Sequence, residues 1–173
     1  MSELPTDQQS AVEALADALR SRGLRLVTAE SCTGGLIAAA CTSLAGSSEW
    51  FERGFVTYSN EAKTELLGVP AALIEEHGAV SEAVAQAMAE GALQRSKAQV
   101  AVSVTGIAGP GGGTPAKPVG TVWLAICRSG DSAPGAAPVS TAVLLHGAGD
   151  RAAVRRQTVL RALQVLLDSL YRT

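Results

Sequence analysis

Several residue types that support common protein functions are scarce in this 173-residue chain. Aromatic residues make up 3% of it, so few rings are available to stack on nucleic-acid bases. The net charge is -2 and the basic residues are scattered, which gives no electrostatic footprint for DNA or RNA. Only two histidines occur, His77 and His146, and no ligand cluster has metal spacing. Apolar runs stay far below the roughly 20 residues that cross a bilayer. We therefore expect no nucleic-acid, metal or membrane partner.

Cysteine usage and the first residues bear on the cellular compartment. Cys32, Cys41 and Cys127 are odd in number and show no CxxC spacing, which argues against a disulfide framework. Residues 1–22 are polar with a helical pattern, and they lack the charged and apolar regions of a signal peptide. A reduced, cytoplasmic location is the expectation.

Apolar residues are abundant, at 47%, against 17% charged, which suits one packed domain over 1–173. Helical and strand patterns alternate in the first half, and strands follow one another in the second. The predicted helices cover 6–21, 36–44, 60–68, 70–78, 81–96 and a segment from residue 150; the predicted strands cover 24–29, 54–58, 99–105, 119–127 and 139–146, with a loop at 129–138. This order predicts an α/β fold, a three-layer α/β/α sandwich with a mixed, mainly parallel sheet.

Two helix starts are predicted from capping residues. Thr6 and Gln9 form a capping-box pattern, with Leu4 placed as a hydrophobic staple. Asn60 is predicted to cap the helix that ends at Gly68.

The sequence does not match the common catalytic and nucleotide-binding motifs. The segment 109–114 (GPGGGT) has Thr114 where the dinucleotide fingerprint needs its third glycine, and it lies between two strands. The segment 46–50 (GSSEW) misses the nucleophile-elbow pattern at Trp50. A histidine-based hydrolase is therefore weakly supported.

Lys63 is the candidate general base. With Asn60 as N-cap it lies in the first helical turn, where the helix dipole disfavours a positive charge. Positions three and four residues away carry no carboxylate, so both effects lower its pKa and favour the neutral amine. A solvated surface lysine is the alternative. Tyr58, at the end of the preceding strand, offers a phenol near the same place.

Two loops offer a hydroxyl nucleophile. Ser48 lies at the start of a short helical turn whose N–H groups suit an oxyanion, although an ordinary N-cap is the commoner use of such a serine. Ser31 and Thr33 lie in a strand-to-helix turn that ends in Gly34-Gly35, which suits phosphate at the helix N-terminus, or is merely a tight turn. Thr105-Gly106 follows another strand. Ligand sites lie outside the carboxyl ends of such strands, so loops 30–35, 46–48, 58–63 and 105–118 are predicted to converge there.

The same segments resemble the CinA C-terminal domain family, in its stand-alone form. The resemblance rests on 28–35 (TAESCTGG), 45–63 (AGSSEWFERGFVTYSNEAK), 78–82 (GAVSE), 105–112 (TGIAGPGG) and 118–122 (PVGTV). It covers nearly the whole chain. Many family members carry a larger nucleotide-processing domain first, and we expect this chain to lack that domain and its activity.

The resemblance implies deamidation of nicotinamide mononucleotide (NMN) to nicotinate mononucleotide and ammonia, in pyridine-nucleotide recycling. It places the nucleophile at Ser48 and the base at Lys63, with Tyr58 nearby. It places Ser31, Thr33 and Thr105 at other active-site positions, with Ser31 the second choice of nucleophile.

Further expectations concern ligands and partners. The substrate phosphate is predicted to bind at residues 31–35 or at Arg151, at the start of the last helix. We expect no cofactor, and the family resemblance implies a homodimer or higher homo-oligomer. The alternative function is a non-catalytic module that binds a nucleotide or a protein partner.

Overall fold

The computed structural model of the chain describes residues 4–129 and 137–171. The helices of this part are α1 (Thr6–Arg22), α2 (Leu36–Thr42), α3 (Asn60–Leu67), α4 (Ala71–His77), α5 (Glu82–Gln94) and α6 (Arg151–Tyr171). The strands are β1 (Leu26–Glu30), β2 (Phe51–Val56), β3 (Val100–Gly106), β4 (Thr121–Arg128) and β5 (Val139–His146), and a 3₁₀ turn over Ser47–Glu49 precedes β2. Within these residues, no helix has the length and apolar character needed to span a membrane.

The five strands form one mixed sheet in the order β2-β1-β3-β4-β5. Strands β2, β1 and β3 are parallel, whereas β4 pairs antiparallel with β3 and β5 antiparallel with β4. Four strands therefore run in one direction and only β4 opposes them. Glu30, at the end of β1, pairs with Val56 of β2 and Val104 of β3. The carboxyl ends of the three parallel strands consequently share one edge of the sheet.

Two hydrophobic cores lie on opposite faces of this sheet, which confirms the predicted three-layer α/β/α class. The first core joins α1, α2 and α6 to one face, where Leu26 and Ile37 are fully buried. The second core joins α3, α4 and α5 to the other face, with Val27 and Leu67 inside it. Consecutive residues of β1 supply opposite cores because side chains alternate across a strand.

Both predicted helix caps are wrong by one residue. Pro5 is the N-cap of α1, without a side-chain capping bond, because the N–H of Gln9 already donates to the Pro5 carbonyl at 2.9 Å. Thr6 is therefore inside the helix. Ser59 caps α3, and its hydroxyl accepts from the N–H of Ala62 at 3.0 Å. The C-cap of α3 is Gly68, as predicted.

Strand β2 begins three residues earlier than predicted and ends at Val56. Among the described strands it pairs only with β1, at the edge of the sheet, and its residues are half-buried or exposed, so it lacks a continuous apolar run. Tyr58 consequently lies in the loop after β2. Residues 130–136 of the predicted 129–138 loop lie outside the described residues.

A close helix contact involves Gly91 of α5. A Cβ atom at this position would collide with the backbone carbonyl of Leu67, the last residue of α3. Because the added Cβ meets rigid backbone, we expect an overpacking cost of about 3 kcal/mol for Gly91→Ala, and a net destabilisation of about 2 kcal/mol after the roughly 1 kcal/mol gain in helix propensity. Denaturant unfolding measures this change. Gly111→Ala is the control because its Cβ enters open space; equal stability of the two variants would contradict the packing argument.

Candidate active site

A cavity of about 220 Å³ opens at the edge where β1, β2 and β3 end. Its lining comes from the loops that follow these strands, from the end of β3, from the first half of α3, from the segment before α5 and from the start of α6. The lining residues are Ser31, Cys32, Tyr58, Asn60, Lys63, Ala79, Val80, Thr105, Gly106, Ala108 and Arg151. Loops 30–35, 58–63 and 105–118 therefore converge as predicted. In the described ranges, no group of three or more His, Cys, Asp or Glu side chains is arranged to hold a metal ion.

Lys63 reaches this cavity from α3 with a side chain that is almost fully buried, the residue being 1% exposed. Its Nζ lies 3.1 Å from Ser31 Oγ and 2.9 Å from the carbonyl oxygen of Thr57. The carbonyl oxygens of Tyr58 and Ser59 lie 3.4 and 3.5 Å away. The lysine amine is thus held between one serine alcohol and three backbone carbonyls.

Burial lowers the pKa of Lys63 below its ordinary value of 10.5, because the charged form loses hydration. The direction agrees with the sequence prediction, but the predicted cause, the helix dipole, is replaced by desolvation. A neutral amine has two N–H groups and one lone pair. When the two N–H groups donate to the surrounding carbonyls, the lone pair is left for the Ser31 hydroxyl.

Ser31 is the first residue after β1, and its backbone N–H donates to the Val104 carbonyl at 3.0 Å. The neighbouring Cys32 also lines the cavity, but burial, with a smaller contribution from the charge of Glu30, raises the pKa of its thiol to about 11. The thiol is therefore protonated near neutral pH and is a poor nucleophile. Of these two neighbours, the Ser31 alcohol is the group that lies within hydrogen-bond distance of Lys63 Nζ, at 3.1 Å.

Hydrogen-bond donors in and after the turn that follows Ser31 already bind a carboxylate of the protein itself, that of Glu30. Glu30 accepts hydrogen bonds from Thr33 Oγ1 at 2.6 Å and from the N–H groups of Gly35, Ile37 and Ala38 at 2.8–3.1 Å. Thr33, Gly34 and Gly35 do not line the cavity, and the donors that were predicted for a substrate phosphate bind Glu30 instead. Glu30 was not predicted as a site residue, although a glutamate that ends an apolar strand before a helix N-terminus was a usable signal.

Ser48 lies at the opposite end of the strands from the cavity, where β1 and β2 begin. It belongs to the 3₁₀ turn before β2, where the carbonyl of Trp50 accepts from the N–H of Leu26 at the start of β1. Strand β2 spans about 17 Å between this end and the cavity, at about 3.3 Å per residue. The prediction that loop 46–48 joins the site is therefore wrong, and the described chain brings Lys63 together with Ser31 rather than with Ser48.

Tyr58 and Arg151 meet at the cavity rim. The tyrosine is 62% exposed, and its hydroxyl accepts from Arg151 Nη2 at 3.0 Å. Arg151 Nη1 donates to the Gly109 carbonyl at 2.8 Å, so this guanidinium links the β2–α3 loop to the loop after β3. The hydroxyl of Thr105, a buried residue, donates to the Ala79 carbonyl at 2.8 Å and fixes the wall before α5. Its neighbour Gly106 is also part of the lining.

A buried lysine against a serine alcohol, at the carboxyl edge of an α/β sheet, defines a candidate serine–lysine site. Comparison with known proteins identifies the family. The CinA C-terminal domain family matches residues 8–170, and the chain belongs to this family.

Individual relatives differ in length. Over 155 residues the chain is 52% identical to the nicotinamide-nucleotide amidohydrolase PncC of Escherichia coli K12, covering 89% of each protein. It is 54% identical over 164 residues to a competence-damage inducible protein of Symbiobacterium thermophilum, but spans only 38% of that relative's length against 93% of its own. The crystal structure of the competence/damage inducible protein CihA from Agrobacterium tumefaciens superposes with a TM-score of 0.88 at 44% identity, covering 99% of this chain and all of the other.

Proposed function

We propose that this chain is an amidohydrolase that deamidates NMN to nicotinate mononucleotide and ammonia, with Ser31 as nucleophile and Lys63 as general base. The observation that carries this proposal is the 3.1 Å separation between the lysine amine and the serine oxygen in a buried position. The substrate is inferred from the Escherichia coli relative, which is named for this activity and which this chain covers over 89% of its length.

The acylation step uses the amine as a proton acceptor. Neutral Lys63 takes the proton of the Ser31 hydroxyl while Oγ attacks the carboxamide carbon, which gives a tetrahedral intermediate. The N–H of Cys32, directly after the nucleophile, is the backbone donor that we assign to the oxyanion, as in other serine hydrolases. The C–N bond then breaks, the lysine ammonium returns its proton to the leaving group, and ammonia departs.

Deacylation repeats this chemistry with water. The ester that joins Ser31 Oγ to the carbonyl carbon of the bound mononucleotide is attacked by a water molecule whose proton passes to Lys63, and the ester bond then breaks. Lys63 returns the proton to Ser31 Oγ, and the acid product leaves. Each half-reaction needs the same lysine in its neutral form, for which a depressed pKa is suited.

Arg151 is the proposed contact for the substrate phosphate, because its guanidinium lies at the cavity rim next to Tyr58. Arg151→Met should raise KM for NMN about 10-fold, in line with a charge-assisted hydrogen bond at an exposed site. The KM for nicotinamide riboside, which has no phosphate, should not change. Steady-state ammonia release from both substrates measures the two values, and an equal rise for both would place the phosphate elsewhere.

The direct test of the function is ammonia release from NMN by the purified chain, with a chelator present to exclude contaminating metal-dependent amidases. We expect multiple turnovers and stoichiometric nicotinate mononucleotide. Binding of NMN without ammonia release would support the non-catalytic binding module instead. The activity would place the protein in pyridine-nucleotide recycling.

A further inference from the structure

Glu30 is a buried carboxylate directly before the proposed nucleophile. It is the last residue of β1 and only 1% exposed. Oε2 accepts from Thr33 Oγ1 at 2.6 Å and from the N–H groups of Gly35 and Ile37 at 3.1 and 3.0 Å. Oε1 accepts from the N–H of Ala38 at 2.8 Å. Such a set of four donors is the environment that a buried carboxylate requires.

These bonds all lead to one segment, residues 33–38. They tie the end of β1 to the first turn of α2 and hold the five-residue turn between them (31–35), to which Ser31 belongs. The carboxylate also satisfies N–H groups that a helix N-terminus leaves without intrahelical partners. With its oxygens committed in this way, Glu30 is not a proton acceptor for the reaction, and its influence on the chemistry is through geometry.

The turn has little stiffness of its own. Gly34 and Gly35 have φ values of +61° and +97°, a region that glycine enters freely, so the backbone here has more freedom than other residues would allow. On the strand side, Ser31 is fixed by its N–H bond to the Val104 carbonyl. On the helix side, the Thr33 carbonyl accepts from the N–H of Leu36 at 3.3 Å and from Arg155 Nη2 at 3.0 Å. Glu30 adds the bonds that join the end of β1 directly to N–H groups of α2.

We propose that Glu30 is a positioning residue, whose carboxylate fixes the turn so that Ser31 Oγ stays within hydrogen-bond distance of Lys63 Nζ. Lys63 belongs to α3 in the opposite helical layer, so the Ser31–Lys63 distance depends on where the turn is held. This inference rests on the proposed function, because it assigns a role within the same reaction. A shift of about 1 Å in a reacting group costs on the order of 100-fold in rate.

Glu30→Gln is the primary test. The amide NH2 replaces one oxygen and faces N–H donors, so the turn loses part of its anchor while the volume stays the same. We expect kcat for NMN to fall about 10- to 100-fold, as for a misplaced reacting group, and KM to stay unchanged because Glu30 does not contact the cavity. Circular dichroism and the thermal midpoint report whether the variant is folded.

Thr33→Val is the second variant, in case Glu30→Gln does not fold. It removes the 2.6 Å bond to Glu30 and preserves side-chain shape, and we expect a smaller fall in kcat, again without a change in KM. Ser103→Ala is the matched control, because it removes another fully buried hydroxyl bond of 2.6 Å, to the Ala85 carbonyl on the α5 side of the sheet. The control should lose stability but keep kcat.

The outcomes separate the two proposals. If the wild-type chain releases no ammonia from NMN, the proposed function fails. If the wild type is active and the folded Glu30 and Thr33 variants keep its kcat, the positioning role is overturned. A fall in kcat that Ser103→Ala shares to the same extent, or a rise in KM without a fall in kcat, would also overturn it.

Discussion

Ser31→Ala should lower kcat for NMN deamidation by at least about 10³-fold, the loss typical of removing a serine nucleophile. Ser48→Ala should leave kcat unchanged. The difference follows from position: Ser31 Oγ lies 3.1 Å from the Lys63 amine, whereas Ser48 lies on an exposed turn at the opposite end of the strands. Both substitutions remove one hydroxyl oxygen, so each serves as the chemical control for the other.

Ammonia release and nicotinate mononucleotide formation give kcat for the two variants, and mass spectrometry gives a second readout. A rapidly quenched reaction of the wild type should contain the acyl group of nicotinate mononucleotide, with its ribose phosphate, as an ester on the peptide that includes residue 31. An inactive Ser48→Ala variant together with an active Ser31→Ala variant would transfer the nucleophile to Ser48. It would also require that a second chain supply this serine to the cavity.

Lys63→Met should strongly lower kcat/KM for NMN and change how the free energy of unfolding depends on pH. Loss of a general base costs about 10²- to 10⁴-fold in rate. In the wild type, kcat/KM should rise with pH as Lys63 loses its proton and then level off, with the midpoint below 10.5 because burial lowers the pKa of this amine. The methionine variant should lack this rise.

The stability effect has a definite sign. Because the pKa of Lys63 is lower in the folded protein than in the unfolded chain, the unfolded chain binds more protons at pH values between the two. The free energy of unfolding of the wild type, minus that of Lys63→Met, should therefore increase with pH across this interval. The gain is about 1.4 kcal/mol for each unit that separates the two pKa values.

Urea unfolding of both proteins at matched pH values measures the stability difference, and the other titrating groups cancel in the subtraction. A difference that is flat with pH, or that falls as pH rises, would mean that the amine keeps its charge without cost. The neutral-base mechanism would then be untenable.

The fold was predictable because its signals are local. The strand at 139–146 was predicted with its observed boundaries. The burial of both faces of the sheet follows from apolar runs whose alternate residues face different cores. The boundaries of strand β2 were harder to predict, because an edge strand with exposed residues has no continuous apolar run. The capping errors at Pro5 and Ser59 arose because several neighbouring residues are acceptable caps, and backbone geometry decides among them.

The site was predicted in part. Lys63 was found because it has no carboxylate three or four residues away, and Ser31 because it precedes a glycine pair. The predicted pairing of Ser48 with Lys63 is wrong for a topological reason that could be read from the order of the elements along the sequence. Residue 48 precedes β2 and residue 63 follows it. In a parallel sheet these positions lie at opposite ends of the strands, and only the carboxyl ends border the cavity. Glu30 was missed because apolar periodicity does not reveal why a charged residue is buried.

The proposed nucleophile and base come from opposite sides of the sheet. Ser31 leads into α2, which packs in the first core, whereas Lys63 belongs to α3, which packs in the second. A folding intermediate in which only one helical layer has docked would contain either the alcohol in place or the amine in place, but not both. Amidase activity would then appear only in the last cooperative step of folding, so nascent or partly unfolded chains would be inactive.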